Sequence, residues 1–276
     1  MIKLIIDNKN VDLKWTEFSD GAINVQLIDF PTEVKSFISI AVDPKTPVRN
    51  VREEVDLVLS ALHNTQFHGY IHVYLHMAYL PYARADRVFE DGNALPLEMF
   101  MDWLGNCRFD KIFIEDIHNP TFIEMYYPDL PIEINDQFRL AIQFIEKENP
   151  DYILAPDKGA LDKATMLSII SGVHLITADK VRYVSTGKIL SINLNEKPKP
   201  NSTVFIVDDI LDGGGTFIPL AKELKSLGCT VILYVTHLIG AKGLDVLEGI
   251  DRIHCINLVG NYVSREDLID FNNKVK

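Results

Sequence analysis

Short apolar runs alternate with longer segments of helical periodicity along nearly the whole chain. Runs such as IKLII, FISIAV and KIFIED are rich in β-branched and aromatic residues, as strands are. Segments such as VREEVDLVLSALHN and QFRLAIQFIEKEN repeat apolar residues at the spacing of one helix face. Alternating strands and helices are typical of α/β proteins with parallel sheets, so the pattern predicts an α/β fold.

The same order of elements occurs twice. A proline-bearing segment, YYPDLPIEIND, separates the first series from a second that ends with strand VILYVTHLI, helix LDVLEG and strand IHCINLV. A length of 276 residues suits two domains, and a hydrophobic content of 47% can fill two cores. We therefore predict two similar domains, each a mainly parallel sheet flanked by helices, at residues 1–137 and 138–276.

The composition argues against several classes of protein. A formal net charge of −12 does not suit a nucleic-acid-binding surface, which needs clustered basic residues. The cysteines, Cys107, Cys229 and Cys255, are widely spaced and odd in number, so we expect neither a disulfide framework nor a zinc site. Because the chain lacks a signal-like start and an apolar run of membrane-spanning length, we expect a cytoplasmic protein without a membrane partner.

One stretch, VFIVDDILDGGGTF, combines features that strongly indicate a ligand site. Its apolar run suits a buried strand, and Asp208, Asp209 and Asp212 are expected where that strand ends. The three glycines then form a loop, and Thr216 can cap the following helix. This arrangement directs backbone N–H groups and a helix dipole at one point, which predicts a phosphate site. The carboxylates suit the hydroxyls of a ribose.

Charged side chains follow four other predicted strands. Ligands of parallel sheets collect at the carboxyl ends of strands, so these residues are candidates for the same kind of site. They are Arg84, Asp86, Arg87, Asp116, His118, Asp157, Lys158, Asp179, Lys180 and Arg182. Each has a simpler explanation: a helix cap for Asp157, a turn for His118, and exposed ion pairs or solvated edges for the others. Their shared position at strand ends nevertheless favours a common ligand site.

Several motifs occur in the order found in the ribose-phosphate diphosphokinases, or phosphoribosyl pyrophosphate synthetases, and the chain resembles this family over nearly its whole length. FSDGAINV resembles an adenine-contacting loop supplied by a neighbouring subunit, YLPYARADR the ATP-binding segment, and IEDIHNP the metal site. PDKGALDKA resembles the segment for the pyrophosphate and ribose, ADKVR the start of the catalytic loop, and VDDILDGGGT the ribose-phosphate loop. YVTHLI matches the strand that closes the second domain. The family has the fold of the type I phosphoribosyltransferases.

The resemblance implies transfer of the β,γ-diphosphoryl group of ATP to the anomeric hydroxyl of ribose 5-phosphate, with Mg²⁺ and release of AMP. It implies that Lys180 and Arg182 are catalytic and that Asp116, His118 and Asp157 are metal ligands. The ATP-binding residues implied are Phe18, Asp20, Arg84, Asp86 and Arg87. The ribose-phosphate-binding residues implied are Asp208, Asp209, Asp212, Gly213, Gly214, Gly215 and Thr216. An adenine loop donated across an interface implies a homo-oligomer, at least a dimer.

The chain departs from the family pattern at particular positions. Ala22 stands where the family commonly has glutamate, and Ala85 where it has glutamine. DGGGT replaces the more usual series of Asp, Thr, a small residue, Gly and Thr. Because glycine removes side chains around the 5-phosphate, this change predicts room for a larger acceptor, such as ADP-ribose. ADP-ribose is therefore the alternative to ribose 5-phosphate.

Three other functions stay open from the sequence. A phosphoribosyltransferase would share the acidic glycine loop, but it would consume the pyrophosphate sugar and would not need PYARADR or FSDG. A non-catalytic regulatory subunit would lose the loop cations, whereas Lys180 and Arg182 are present. A ligand-sensing module would bind without turnover.

Overall fold

The computed structural model describes residues 2–65, 67, 71–182 and 189–274. The chain divides into two compact units, Met1–Asn135 and Asp136–Lys276. The division lies close to residue 137, the position chosen from the sequence. Both units are sheets flanked by helices, which confirms the predicted α/β class.

The first unit contains a mixed sheet. Its strands are β1 (Ile2–Ile6), β2 (Lys9–Glu17), β3 (Ile23–Ile28), β4 (Phe37–Val42), β5 (His72–Met77), β6 (Lys111–Glu115) and β7 (Ile132–Asn135). Its helices are α1 (Val48–His63), α2 (Pro96–Cys107) and α3 (Pro120–Tyr126). The order is β3-β2-β1-β4-β5-β6-β7, parallel from β4 to β7 and antiparallel from β3 through β1 to β4. This half of the sheet is therefore more antiparallel than expected.

Two strands of the first unit were not anticipated, and each has an understandable signal. In β2 the apolar residues Val11, Leu13 and Trp15 alternate with polar ones, the pattern of a strand with one exposed face. The edge strand β7 begins directly after Pro131, and proline is tolerated there because only its carbonyl is used, as the acceptor of the Ile112 N–H of β6. The prolines before β7 made this segment look like a linker in the sequence.

The second unit has a predominantly parallel sheet. Its strands are β8 (Tyr152–Ala155), β9 (His174–Arg182), β10 (Ile189–Leu194), β11 (Thr203–Leu211), β12 (Thr230–Leu238) and β13 (Arg252–Leu258). Its helices are α4 (Gln137–Glu148), α5 (Leu161–Ser171), α6 (Phe217–Ser226) and α7 (Arg265–Lys274). The order is β10-β9-β8-β11-β12-β13, with only the β9–β10 pair antiparallel. Residues 183–188, between β9 and β10, lie outside the described residues.

The predicted helix LDVLEG was wrong. Residues 244–249 form turns, and the flanking Gly243 and Gly249 both have left-handed backbone angles, φ +77° and φ +87°. So short a segment between two such glycines cannot hold enough helical hydrogen bonds to offset helix nucleation. Helix α7, by contrast, was not predicted, because it buries none of its residues.

The central strands of the second unit are buried on both faces. Val204 and Ile206 of β11 belong to one apolar cluster, whereas Phe205 and Val207 belong to another. Strands covered on both sides read as continuous apolar runs, which explains why this region was easy to recognise. Within the described part of the chain, no helix is both long enough and apolar enough to cross a membrane.

Candidate active site

The acidic end of β11 lies beyond the end of its neighbour β8. Strand β11 pairs with β8 only as far as Ile206, opposite Leu154, but it pairs with β12 as far as Leu211. Asp208 and Asp209 are therefore part of the strand, rather than following it as expected. They still lie at the carboxyl edge of the sheet, because β8 has already ended at Ala155.

Asp208 occupies an electrostatically unfavourable position. Burial, and then the negative charges of Asp209 and Asp157, raise the pKa of Asp208 well above its ordinary value. The backbone here is held in place: the Asp209 N–H donates to Asp208 Oδ1 at 2.9 Å, and Gln137 Nε2 donates to the Asp208 carbonyl at 2.6 Å. The structure thus concentrates negative charge at the end of β11 on a fixed backbone.

The glycine loop connects this strand to α6. Phe217 and Ile218 donate their N–H groups to the Gly214 carbonyl, which starts the helix. Thr216 occupies the N-cap position, but its side chain makes no capping hydrogen bond, contrary to expectation. Among the described residues, the N–H groups of Gly213, Gly214 and Gly215 donate no backbone–backbone hydrogen bond. Consecutive amides at a helix start suit an anion such as phosphate.

The three glycines differ in what surrounds them. Gly214 has φ +74°, and a Cβ atom there would lie 2.6 Å from Leu247 Cδ2. A Cβ atom on Gly213 would lie 3.2 Å from Lys242 Cε, so a lysine side chain already fills that space. Only at Gly215 would a Cβ atom meet nothing within 4 Å. The sequence suggested that all three glycines open the loop. In the structure, the open space lies only beside Gly215.

The segment after β8 is a turn organised by Asp157. Its Oδ1 atom accepts hydrogen bonds from the amides of Gly159, at 3.0 Å, and Ala160, at 3.2 Å. These bonds shape the turn that leads into α5, but the N-cap of α5 is Ala160, so Asp157 is not the helix cap that the simpler interpretation expected. They also orient the carboxyl group, whose charge acts on Asp208.

In the first unit, Asp86 joins two loops that follow neighbouring strands. Its carboxyl accepts hydrogen bonds from Asn119 Nδ2 at 2.7 Å and from Arg87 Nε at 3.2 Å. Burial by itself would raise the pKa of Asp86, but these hydrogen bonds outweigh it, so the pKa is lowered. Asn119 also accepts the Phe122 N–H and caps α3. The predicted ATP-binding and metal-binding segments of this unit are therefore held together.

The same loops contain unusual backbone conformations. Tyr82 has φ +62° and Asp116 has φ +43°, in the left-handed region that is uncommon for a bulky side chain such as tyrosine. Asp116 is buried, and its N–H donates to the Asn135 carbonyl. Such conformations persist only where surrounding contacts fix them, and they often occur at functional sites. Arg84 is exposed and His118 is partly buried in these loops.

The loop between β2 and β3 contains Phe18 and Asp20. Phe18 is 52% exposed, and its N–H donates to the Ala22 carbonyl. Asp20 Oδ1 accepts the Ala22 N–H at 3.1 Å. This turn presents an aromatic side chain at the surface of the first unit.

Comparisons with known proteins agree with this arrangement. The family model described as "Phosphoribosyl transferase domain" matches residues 128–268. The ribose-phosphate pyrophosphokinase of Pyrococcus abyssi is 33% identical over 70% of this chain and 67% of its own. That of Pyrococcus furiosus is 31% identical over 73% of this chain and 72% of its own.

The chain belongs to the ribose-phosphate pyrophosphokinase family. The resemblance inferred from the sequence is thereby confirmed. The crystal structure of phosphoribosylpyrophosphate synthetase from Mycobacterium smegmatis is 21% identical, covers 91% of this chain and 81% of its own, and has a TM-score of 0.73. The two proteins therefore share a fold.

Two residues predicted to be catalytic in this pyrophosphokinase family member lie on β9. Lys180 pairs with Ile192 of β10, and Arg182 pairs with Ile189. The backbone thus places both residues on the hairpin strand that follows α5. Their roles stay predictions.

Metal ligands were predicted at Asp116, His118 and Asp157. Among the described residues, no three His, Cys, Asp or Glu side chains converge into a ready-made metal site. Mg²⁺ commonly takes only one or two protein carboxylates and completes its shell with water and substrate phosphates, so this donor set fits it. The oriented carboxyl of Asp157 has the required chemistry.

Three residues in contact with the site segments were missed by sequence reasoning. Gln137 supports Asp208, Asn119 links two loops, and Lys242 lies against Gly213. Asn119 had a usable signal, since asparagine before proline marks a helix start. Gln137 and Lys242 had none, because their contacts join residues that are distant in sequence.

Proposed function

We propose that this protein transfers the β,γ-diphosphate of ATP to the anomeric hydroxyl of ribose 5-phosphate, giving phosphoribosyl pyrophosphate and AMP. Membership of the pyrophosphokinase family supports this activity. The observation that carries the proposal is the run of glycine amides beside Asp208 and Asp209. Amides suit the phosphate of the sugar, and carboxylates suit its hydroxyls.

On the acceptor side, the amides of residues 213–215 and the start of α6 hold the 5-phosphate. Asp208 and Asp209 accept hydrogen bonds from the ribose hydroxyls. Such donors stabilise the charged form of a carboxylate, which offsets the burial and the like charges that raise the pKa of Asp208. Asp212 and Thr216 complete the loop. Fixing the sugar at both ends orients its anomeric hydroxyl, and orientation can supply much of a rate enhancement.

On the donor side, positive groups stabilise the charge that moves onto the departing AMP. Lys180, Arg182 and Arg84 have this role, while Phe18, Asp20 and Arg87 contribute to ATP binding. Asp86 contributes to ATP binding indirectly, because it holds Arg87 and the loop that contains Arg84 in place. Mg²⁺ ions bound to the polyphosphate would neutralise part of its charge. The residues proposed to ligate such ions are Asp116 and His118 of the first unit and, separately, Asp157 of the second.

A direct assay uses the purified protein with ATP, Mg²⁺ and ribose 5-phosphate. Chromatography should show AMP released in equal amount to the acceptor consumed. ADP in place of AMP would indicate transfer of a single phosphoryl group, and a phosphoribosyltransferase would produce no AMP; either result contradicts the proposal. The Lys180→Ala variant should lower kcat by about 10²-fold, as expected for a group that stabilises the transition state.

A larger acceptor is the second candidate, and the open space beside Gly215 favours it. ADP-ribose carries a diphosphate at the same carbon of its terminal ribose, so its extra groups could extend where no side chain intervenes. The same assay with ADP-ribose decides between the acceptors by comparing kcat/KM. No turnover with ADP-ribose eliminates the second candidate and leaves the first unaffected.

We infer a homo-oligomer because the exposed turn at Phe18 resembles an adenine loop donated to a neighbouring subunit. Light scattering under assay conditions should give at least a dimer. A fully active monomer would show that this turn serves its own subunit or none.

A further inference from the structure

We propose that Lys242 is a specificity-determining residue of the acceptor site, whose ammonium group binds the phosphate held by the glycine loop. This inference rests on the proposed function of that loop. Lys242 belongs to the segment that follows β12, distant in sequence from the acidic strand. Its side chain nevertheless runs along Gly213, with Cγ, Cδ and Cε within 3.7 Å of the position a Cβ atom there would occupy.

The segment that contains Lys242 is attached to the glycine loop through its backbone. The N–H groups of Ile239 and Gly240 donate to the Leu211 carbonyl, at 2.8 Å and 3.1 Å. Leu211 directly precedes Asp212 and the glycines. Gly243 donates its N–H to the Gly240 carbonyl and closes a turn around Lys242. The position of Lys242 beside the loop is thus fixed by main-chain bonds and not by its side chain alone.

A second contact holds the same segment against the loop. Leu247 packs so closely that a Cβ atom on Gly214 would lie 2.6 Å from its Cδ2 atom. Gly240 also has to be glycine, since φ is +64° and a Cβ atom would lie 2.4 Å from Val263 Cγ2. The segment therefore contacts the loop on both sides of Lys242, at Leu211 and at Gly214.

Charge explains why a cation is needed there. Residues 208–216 contain three aspartates and no basic residue, and Asp157 adds a further negative charge that acts on Asp208. A sugar phosphate placed on this loop meets repulsion that amides alone do not offset. Lys242 is exposed, and its ammonium forms no ion pair with any residue in the described ranges. Its charge is therefore available to a phosphate at the loop.

The contact with Lys242 also bears on the glycine at position 213. Gly213 has an ordinary backbone conformation, so the chain itself does not require glycine. A Cβ atom would lie 3.2 Å from Lys242 Cε, so the lysine side chain would have to shift by a few tenths of an ångström from its place along the loop. Gly213 and Lys242 thus form one unit, in which the absence of a side chain admits the cation.

The test compares Lys242→Ala, Lys242→Arg and Lys197→Ala with the wild type. The acceptor is whichever sugar phosphate releases AMP in the wild type. Loss of a charge-assisted hydrogen bond to phosphate should raise the KM for the acceptor about tenfold or more in Lys242→Ala, with a smaller change in the KM for ATP. Lys242→Arg should retain most of the affinity. Lys197→Ala is the matched control, because Lys197 is an exposed lysine shortly before β11 begins, at the opposite edge of the sheet. It removes the same charge and should change neither the KM for the acceptor nor the KM for ATP.

A double-mutant cycle separates this role from a general effect of charge. Gly213→Ala should raise the KM for the acceptor in the wild-type background but add little in Lys242→Ala, because the displaced group is already missing. Additive effects in the cycle, or an unchanged KM for the acceptor in Lys242→Ala, overturn the inference about Lys242. If the wild type still releases AMP in that case, the proposed function is unaffected. Failure of the wild type to release AMP overturns the proposed function instead. Thermal unfolding of each variant identifies any loss that comes from misfolding.

Discussion

Asp86, in a loop after β5 of the first unit, and Asp208, near the end of β11 in the second, are both carboxylates at the carboxyl edge of a sheet, yet their surroundings are opposite. Asp86 is satisfied by Asn119 and Arg87, and its pKa is lowered. Asp208 lies among carboxylates, and burial together with Asp209 and Asp157 raises its pKa. The hydrogen bonds to Asp86 stabilise a loop, whereas the carboxylates around Asp208 make an unfavourable electrostatic contribution at the acceptor site.

This difference shows that family membership does not give all matching residues the same physical role. A buried carboxylate already supplied with donors has little capacity left for a ligand, so we interpret Asp86 as a positioning residue. A carboxylate held against like charges is a better candidate for direct ligand contact. Four experiments test this comparison, in order of decreasing expected effect.

The largest effect is expected for Asp208→Asn. Because the amide cannot accept hydrogen bonds from both ribose hydroxyls as a carboxylate does, kcat/KM for the acceptor should fall by about 10²-fold or more. The melting temperature should rise or stay unchanged, because a buried like charge is removed. Steady-state AMP release and thermal unfolding measure the two quantities. Retained activity together with lost stability would reverse the roles assigned to Asp208 and Asp86.

The opposite pattern is expected for Asp86→Ala. Loss of two hydrogen bonds to a buried carboxylate should lower the free energy of unfolding by about 2–3 kcal/mol. Activity per folded molecule should fall mainly through the KM for ATP, because the loop that contains Arg84 loses its attachment. Asn119→Ala is the matched control, and a double-mutant cycle should show strong coupling between them. Independent effects would mean that the 2.7 Å contact contributes little.

A smaller effect separates two adjacent glycines of the acceptor loop. Gly214→Ala should lower the free energy of unfolding by about 1–2 kcal/mol, because φ is positive and Leu247 occupies the space. Gly215→Ala should change it by less than about 0.5 kcal/mol. Chemical denaturation checks both. Equal costs at the two positions would show that the loop is held more loosely than the contact with Leu247 indicates.

The smallest effects are the pH dependences, which should have opposite signs. The pKa of Asp208 is raised above 3.8, so its contribution to stability is fully present below that value and is lost as pH rises through the raised pKa. The pKa of Asp86 is lowered, so its contribution is present above 3.8 and is lost as pH falls through the lowered pKa. Melting temperatures measured from about pH 2 to pH 8 should show Asp208→Asn gaining on the wild type as pH rises and Asp86→Ala gaining on it as pH falls. A constant difference would contradict the raised pKa.

The sequence predicted features that depend on local patterns and missed those that depend on distant contacts. The run VFIV was recognised as a buried strand because apolar residues on both faces leave a continuous signal, and the glycines after it were recognised as a loop. The end of that strand was misjudged, because whether Asp208 lies inside it depends on how far β12 accompanies it. LDVLEG looked helical from its apolar spacing, but two left-handed glycines confine it to turns.

The candidate site shows the same division. Its loop, acidic residues and phosphate chemistry followed from one continuous segment. The link between Asp86 and Asn119, the support of Asp208 by Gln137 and the contact of Lys242 with Gly213 connect residues from separate elements. No spacing in a single sequence reports such contacts, because only the fold brings the residues together.

The central claim concerns which phosphorus atoms move, and ATP labelled separately at the α and β positions tests it most directly. If the protein transfers the β,γ-diphosphate, the β label appears in the sugar product and the α label appears only in AMP when the purified protein acts on its sugar-phosphate acceptor. A β label that stays with the nucleotide as ADP, or that is released as free pyrophosphate without a labelled sugar, would contradict diphosphoryl transfer at the glycine loop.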